Sequence, residues 1–201
     1  MKKYLYLLPV RTILFIIIFY IISLITKKDI TETSTWWTLA VNIVNIIIIG
    51  ILLLICKSNN IKFMQLFKKS KNKTTLKEMI LIPIIISILA LLGMNLAAYL
   101  IYNEIPYTPE CMFQPIPLLL AICNILILPI TTTLAEDGLY IGIGVNNIKN
   151  KYLSIIIPLF FYLIQHSFFP LIWDYKFMLF RFLSFLFIIL FMCIYYKKKI
   201  T

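Results

Sequence analysis

Two carboxylic acids and one imidazole lie among residues that are otherwise almost wholly apolar. Glu136 and Asp137 fall inside the apolar run 117–145, and His166, the sole histidine, falls inside the run 152–169. Ionisable side chains at membrane depth are costly to bury and mark function by default. A carboxylate beside an imidazole can activate water: one group takes the proton while the other orients the water or stabilises developing charge. The two runs are joined by a tight turn near 147–151. Glu136 lies about a dozen residues before that turn and His166 about sixteen after it, so at about 1.5 Å per residue both sit roughly 20 Å from it. An antiparallel hairpin therefore brings them to one depth. One histidine and two acids make a poor zinc set, and this chemistry calls for no metal and no cofactor.

The elements that must position these groups are membrane spans. Of the 201 residues, 62% are hydrophobic and only 13% charged, with a mean hydropathy of +0.96. A soluble domain runs nearer a quarter charged, and this much apolar surface has no single water-soluble core to hide in. Apolar runs near 5–25, 36–55, 76–102, 117–145, 152–169 and 177–196 are of the length that a bilayer core of about 30 Å demands or close to it. The expectation is an all-α fold: one polytopic membrane domain over residues 1–201, a bundle of about six transmembrane helices. The first run follows a basic start but is bulky and β-branched, with no small-x-small cleavage site, and reads as a span rather than a signal peptide. Thr75 with Glu78 three residues on is a capping box opening the third helix. Pro129 in the long fourth run predicts tilt or a kink.

The net charge of +11 does not point to nucleic acid, because the lysines cluster in short segments between apolar runs. With the N-terminus inside, fourteen lysines lie on inner segments and three (Lys27, Lys28, Lys176) on outer ones. Lysine bias fixes orientation, so both termini are expected inside, in a multi-pass protein of the cell membrane with lipid as its surroundings. The acidic loop 103–112 suits the outer side and Trp36 and Trp37 an interface. The loop 57–77 mixes lysines with Phe63, Met64, Leu66 and Phe67, the composition of a segment lying on an anionic leaflet. Four cysteines form no CxxC pattern and predict no disulfide framework. Gly138 and Gly142 are read as a helix-packing face, and Asn42, Asn45, Asn95 and Asn124 as partners between helices. Arg11 and Arg181 are read as interfacial anchors.

The stretch Ala135-Glu136-Asp137-Gly138-Leu139-Tyr140-Ile141-Gly142 resembles the first motif of the CAAX protease and bacteriocin-processing (CPBP) family: two glutamates, three variable residues, arginine, glycine. Tyr162-Leu163-Ile164-Gln165-His166 resembles its second motif, an aromatic three variable residues before histidine. The resemblance spans about 117–196 and implies an intramembrane endopeptidase acting on a small membrane-associated, peptide or lipidated substrate. It implies that Glu136 and His166 activate the attacking water, with Asp137 assisting. Asp137 stands where the second glutamate belongs and Ile141 where the arginine belongs. No histidine or asparagine follows His166 to supply the family's later motif, so the chain reads as a degenerate, shortened member. The alternative is a catalytically inactive relative, a membrane binding or bacteriocin-immunity protein that holds a partner in the same cavity. A small transporter subunit is a third reading, since intramembrane acids also suit a proton path.

Overall fold

A computed structural model of the chain describes residues 2–67, 75–105 and 115–200. Among them every regular element is helical. The helices are α1 (Val10–Thr26), α2 (Trp37–Ser58), α3 (Leu76–Tyr102), α4 (Leu118–Thr132), α5 (Leu153–Ser167), α6 (Tyr175–Ser184) and α7 (Leu186–Ile200). α4 runs on without interruption into a π-helical segment, Thr133–Val145, and α6 and α7 form one rod broken at Phe185. Counted as rods there are six, and the fold is an all-α helical bundle. Five rods are long and apolar enough to cross a membrane: Lys3–Thr26, Glu32–Ser58, Leu76–Tyr102, Leu118–Val145 and Tyr175–Lys199. The other, α5, has 15 residues. That is about 22 Å, shorter than a hydrocarbon core.

The centre of the bundle is the π-helical segment. All eleven residues from Ala135 to Val145 are buried, on every side of the helix. Small residues make this possible. A Cβ on Gly138 would sit 2.7 Å from Leu52 Cδ1, and one on Gly144 would sit 2.7 Å from Pro158 Cγ. Gly138 and Gly142 thus form the packing face expected of them. Pro129 marks the change of geometry upstream. It has no N–H to give the ladder, and Thr133 Oγ1 donates to its carbonyl at 2.9 Å. The next turns close by i→i+5 bonds, as in Asn146 N to Ile141 O at 3.0 Å.

α3 is built differently. Thr75 Oγ1 accepts from Glu78 N at 3.2 Å and Thr75 N donates to Glu78 Oε2 at 3.0 Å, completing the capping box. Its buried residues are Gly93, Ala97 and Ala98, all small, and they seat it against the α6–α7 rod. Much of the rest of α3 is exposed apolar surface suited to lipid.

The lysine-bearing segments gather at one end of the bundle. Tyr4 OH lies 3.2 Å from Ser58 Oγ, Lys199 Nζ lies 2.7 Å from Glu78 Oε1, and Lys197 Nζ donates to Ile148 O at 3.3 Å. The segment expected to lie on a leaflet does something else where it is described. Phe63–Phe67 is one 3₁₀ turn whose Leu66 is buried against Gly142, and Asn146 Nδ2 donates to Leu66 O at 2.8 Å. Its apolar side caps the central helix, and Met64 points outward. The remainder of that loop, 68–74, and the loop 106–114 lie outside the described residues.

Candidate functional site

Tyr162 and His166 are four residues apart on α5 and share a face. So do Glu136 and Tyr140 on the π-helical segment, and the two faces meet. The Tyr140 and Tyr162 rings stack with centroids 4.4 Å apart, which fixes the register of the hairpin. Tyr162 OH then donates to Glu136 Oε2 at 2.7 Å. The other carboxylate oxygen, Oε1, is held by Arg11 Nη1 at 2.6 Å. Arg11 is fully buried. It also donates from Nη1 to Gln165 Oε1 and from Nη2 to Asn45 Oδ1, the latter at 2.6 Å. Gln165 Oε1 takes a second bond from Tyr140 OH at 3.0 Å. Asn45 Nδ2 donates onward to Thr132 Oγ1 at 3.0 Å and Thr131 Oγ1 at 3.2 Å. Four rods thus converge on one charged pair.

His166 is placed mainly by packing, with one long hydrogen bond from Gln165 Nε2 to its Nε2 at 3.5 Å. Its ring lies flat on Phe185, centroids 3.8 Å apart and planes 2° from parallel, with Tyr162 at 5.6 Å. Phe185 stands at the break between α6 and α7. His166 Nδ1 is buried and has no hydrogen-bond partner. Such groups are rare in folded proteins and call for an explanation.

Glu136, Tyr162, His166 and Arg181 open on a common cavity of about 520 Å³ whose other lining is mostly apolar. That is the size and character of a small-ligand site. Pro129 and Thr133, both exposed, form one lip and Ile188 and Met192 form the other. The mouth therefore lies on the flank of the bundle, between α4 and α7.

The hairpin thus places Glu136 and His166 on one wall, while Asp137 stands apart. It is buried but does not line the cavity. Neighbouring residues on an α-helix point about 100° apart, so consecutive acids serve different faces. Arg11 corrects the sequence reading. It is no interfacial anchor but the counter-charge of Glu136. Arg181 also lines the cavity, and Trp37 joins it there, its ring 6.0 Å from Phe169. The missed signal was position: Arg11 lies inside the first apolar run, where an ionisable residue implies a partner. Asn42, Asn45 and Asn124 do bond between helices, whereas Asn95 bonds the Leu91 carbonyl of its own helix.

The carboxylate of Glu136 has roughly four lone-pair positions, and Arg11 and Tyr162 occupy two. The remainder can accept from a water in the cavity, which the His166 ring also lines. Among the described residues, no three His, Cys, Asp or Glu side chains come together to hold a metal ion. No family model, curated protein or solved structure matches this chain.

Proposed function

We propose that the chain is a membrane-embedded endopeptidase of the CPBP type, acting on a peptide or lipidated segment that enters from the bilayer. The observation that carries this reading is the shared cavity: a carboxylate fixed by Arg11 and Tyr162, and an imidazole nitrogen with no partner. Glu136 takes a proton from water. The hydroxide adds to the scissile carbonyl carbon, and His166, protonated on Nδ1, donates a hydrogen bond to the oxyanion. The tetrahedral intermediate collapses with cleavage of the C–N bond, and the leaving amine takes the proton back from Glu136. Arg11 and Tyr162 position the carboxylate. Asp137 acts from behind, through the helix it shares with Glu136.

The second reading is a binding or immunity protein that closes on a partner without cleaving it. The protein donor already held by each Glu136 oxygen favours it. The lysine-rich end of the bundle is assigned to the cytoplasmic side of the cell membrane by the positive-inside rule. A cysteine at Tyr175 should then react with an impermeant thiol reagent in intact cells, and one at Asn150 only after permeabilisation. The reverse pattern would invert the assignment.

The functions separate on Glu136→Gln in proteoliposomes, with a panel of quenched fluorescent peptides, prenylated and unmodified, and rates normalised to folded protein. An amide keeps volume and hydrogen-bonding shape but not basicity. The endopeptidase reading expects cleavage of at least one peptide and a fall of about 10²–10⁴-fold in the variant. Absence of cleavage across the panel, or cleavage indifferent to Glu136→Gln, leaves the binding reading.

A further inference from the structure

Arg11 has its counter-charge, but Arg181 does not. Its guanidinium lies over the rings of Phe169 (5.2 Å) and Phe185 (4.9 Å) and bonds only the His166 carbonyl through Nε at 3.4 Å. Among the described residues no carboxylate is within ion-pair reach of it. A cation held on two aromatic faces in the wall of an apolar cavity is desolvated and oriented, and guanidinium matches a carboxylate with two parallel bonds. Arg181 sits six residues beyond the start of α6. That is about 9 Å along the axis, at the end of the bundle away from the lysine clusters. From there the lining continues inward along Ile188 and Met192, beside the lateral mouth.

We infer that this cavity binds an apolar chain ending in a carboxylate, with the carboxylate on Arg181 and the chain laid along Ile188 and Met192. The reasons are the unbalanced cation, the apolar lining and the opening onto lipid. A membrane amphiphile carries its anionic head near the interface and its chain toward the midplane, the same order in which Arg181 and the apolar wall occur. Two sources supply that chemistry: a free fatty acid, or the C-terminus of an apolar peptide. The assignment rests on the endopeptidase reading only in making the bound chain a substrate; binding itself requires no turnover.

Trp37 lines the same cavity and reports on it. The full chain, with Trp36 and Trp173 replaced by Phe, is purified in detergent and titrated with palmitate brominated at mid-chain, whose bromines quench a tryptophan in contact. Saturable quenching of Trp37 is expected. The methyl ester of the same acid should bind at least about tenfold more weakly, the ratio that 1.4 kcal/mol produces. Arg181→Met should bring the acid down to the level of the ester, Arg181→Lys should recover part of the difference, and Met192→Phe should hinder the chain. Thermal melts of each variant verify folding. Competition by an apolar pentapeptide with a free C-terminus, and none by its amide, identifies the peptide source; competition by unlabelled palmitate alone identifies the fatty acid. Equal quenching by acid and ester, or quenching indifferent to Arg181→Met in folded protein, overturns the inference. Loss of binding with peptide cleavage intact would remove this ligand and leave the endopeptidase, and binding without any cleavage would do the opposite.

Discussion

Two polar clusters lie between α2 and the α4 rod, and they obey different rules. The first is neutral and closed. Asn42 donates to Asn124 at 2.9 Å, Asn124 to Thr38 at 2.6 Å, and Thr131 back to Asn42 at 3.0 Å. The second, one turn deeper, contains Arg11, Glu136, Gln165, Tyr140, Tyr162 and Asn45, joined to the first through Thr131. It carries full charges, and its edge is left open. Arg11 Nε and His166 Nδ1 have no partner, and Glu136 and His166 face a cavity. A cluster that only ties helices together satisfies itself. A cluster that leaves costly buried atoms unmet beside an open cavity is arranged for something that enters.

The sharpest way to break the contrast is to remove one charge. Glu136→Leu strands the fully buried Arg11 guanidinium without its counter-charge, and the expected loss is about 3–5 kcal/mol. Arg11→Met added to it should recover most of that, a coupling read from a double-mutant cycle of unfolding in mixed micelles. If the double variant is no more stable than Glu136→Leu alone, the pair is not the unit described here.

Next in size is packing under the charged cluster. Gly138→Leu pushes into Leu52 and the Phe63–Phe67 turn, an overpacking worth about 1–3 kcal/mol. It should also loosen the Phe63–Phe67 turn, read as faster amide exchange there. The neutral cluster should matter least. Asn124→Ala removes inter-helix bonds that average about 0.6 kcal/mol in membrane bundles, and peptide cleavage per folded molecule should not change. A cost for Asn124→Ala equal to that for Glu136→Leu would erase the distinction between the clusters.

Much of this arrangement is legible in the sequence, because lipid enforces its rules strictly. The third helix begins at its Thr75 cap, and the fourth rod spans Leu118–Val145, within a residue of its apolar run. The meeting of Glu136 and His166 on one wall follows from counting residues to the turn between them. What the sequence conceals is which residue answers which. Arg11 reaches Glu136 across 125 positions of chain; no local pattern carries such a pairing. The different fates of Glu136 and Asp137 depend on the phase of a helix whose pitch changes after Pro129. The break at Phe185, which supplies the ring beneath His166, follows Arg181 and Ser184 in the run 177–196 with no proline or glycine to mark it.

The central claim is that His166 is held for chemistry and not for architecture, and His166→Phe tests it most directly. Phenylalanine preserves the stack on Phe185 and removes a buried Nδ1 that bonds nothing, along with an Nε2 whose one bond, to Gln165, is long at 3.5 Å. Melting temperature in detergent and peptide cleavage in proteoliposomes are measured on the same preparation. The account predicts a melting temperature equal to the parent's or higher, since an unsatisfied polar atom is gone. It predicts a loss of cleavage of about 10²–10⁴-fold. A variant that melts well below the parent, or one that cleaves at the parent's rate, would contradict it.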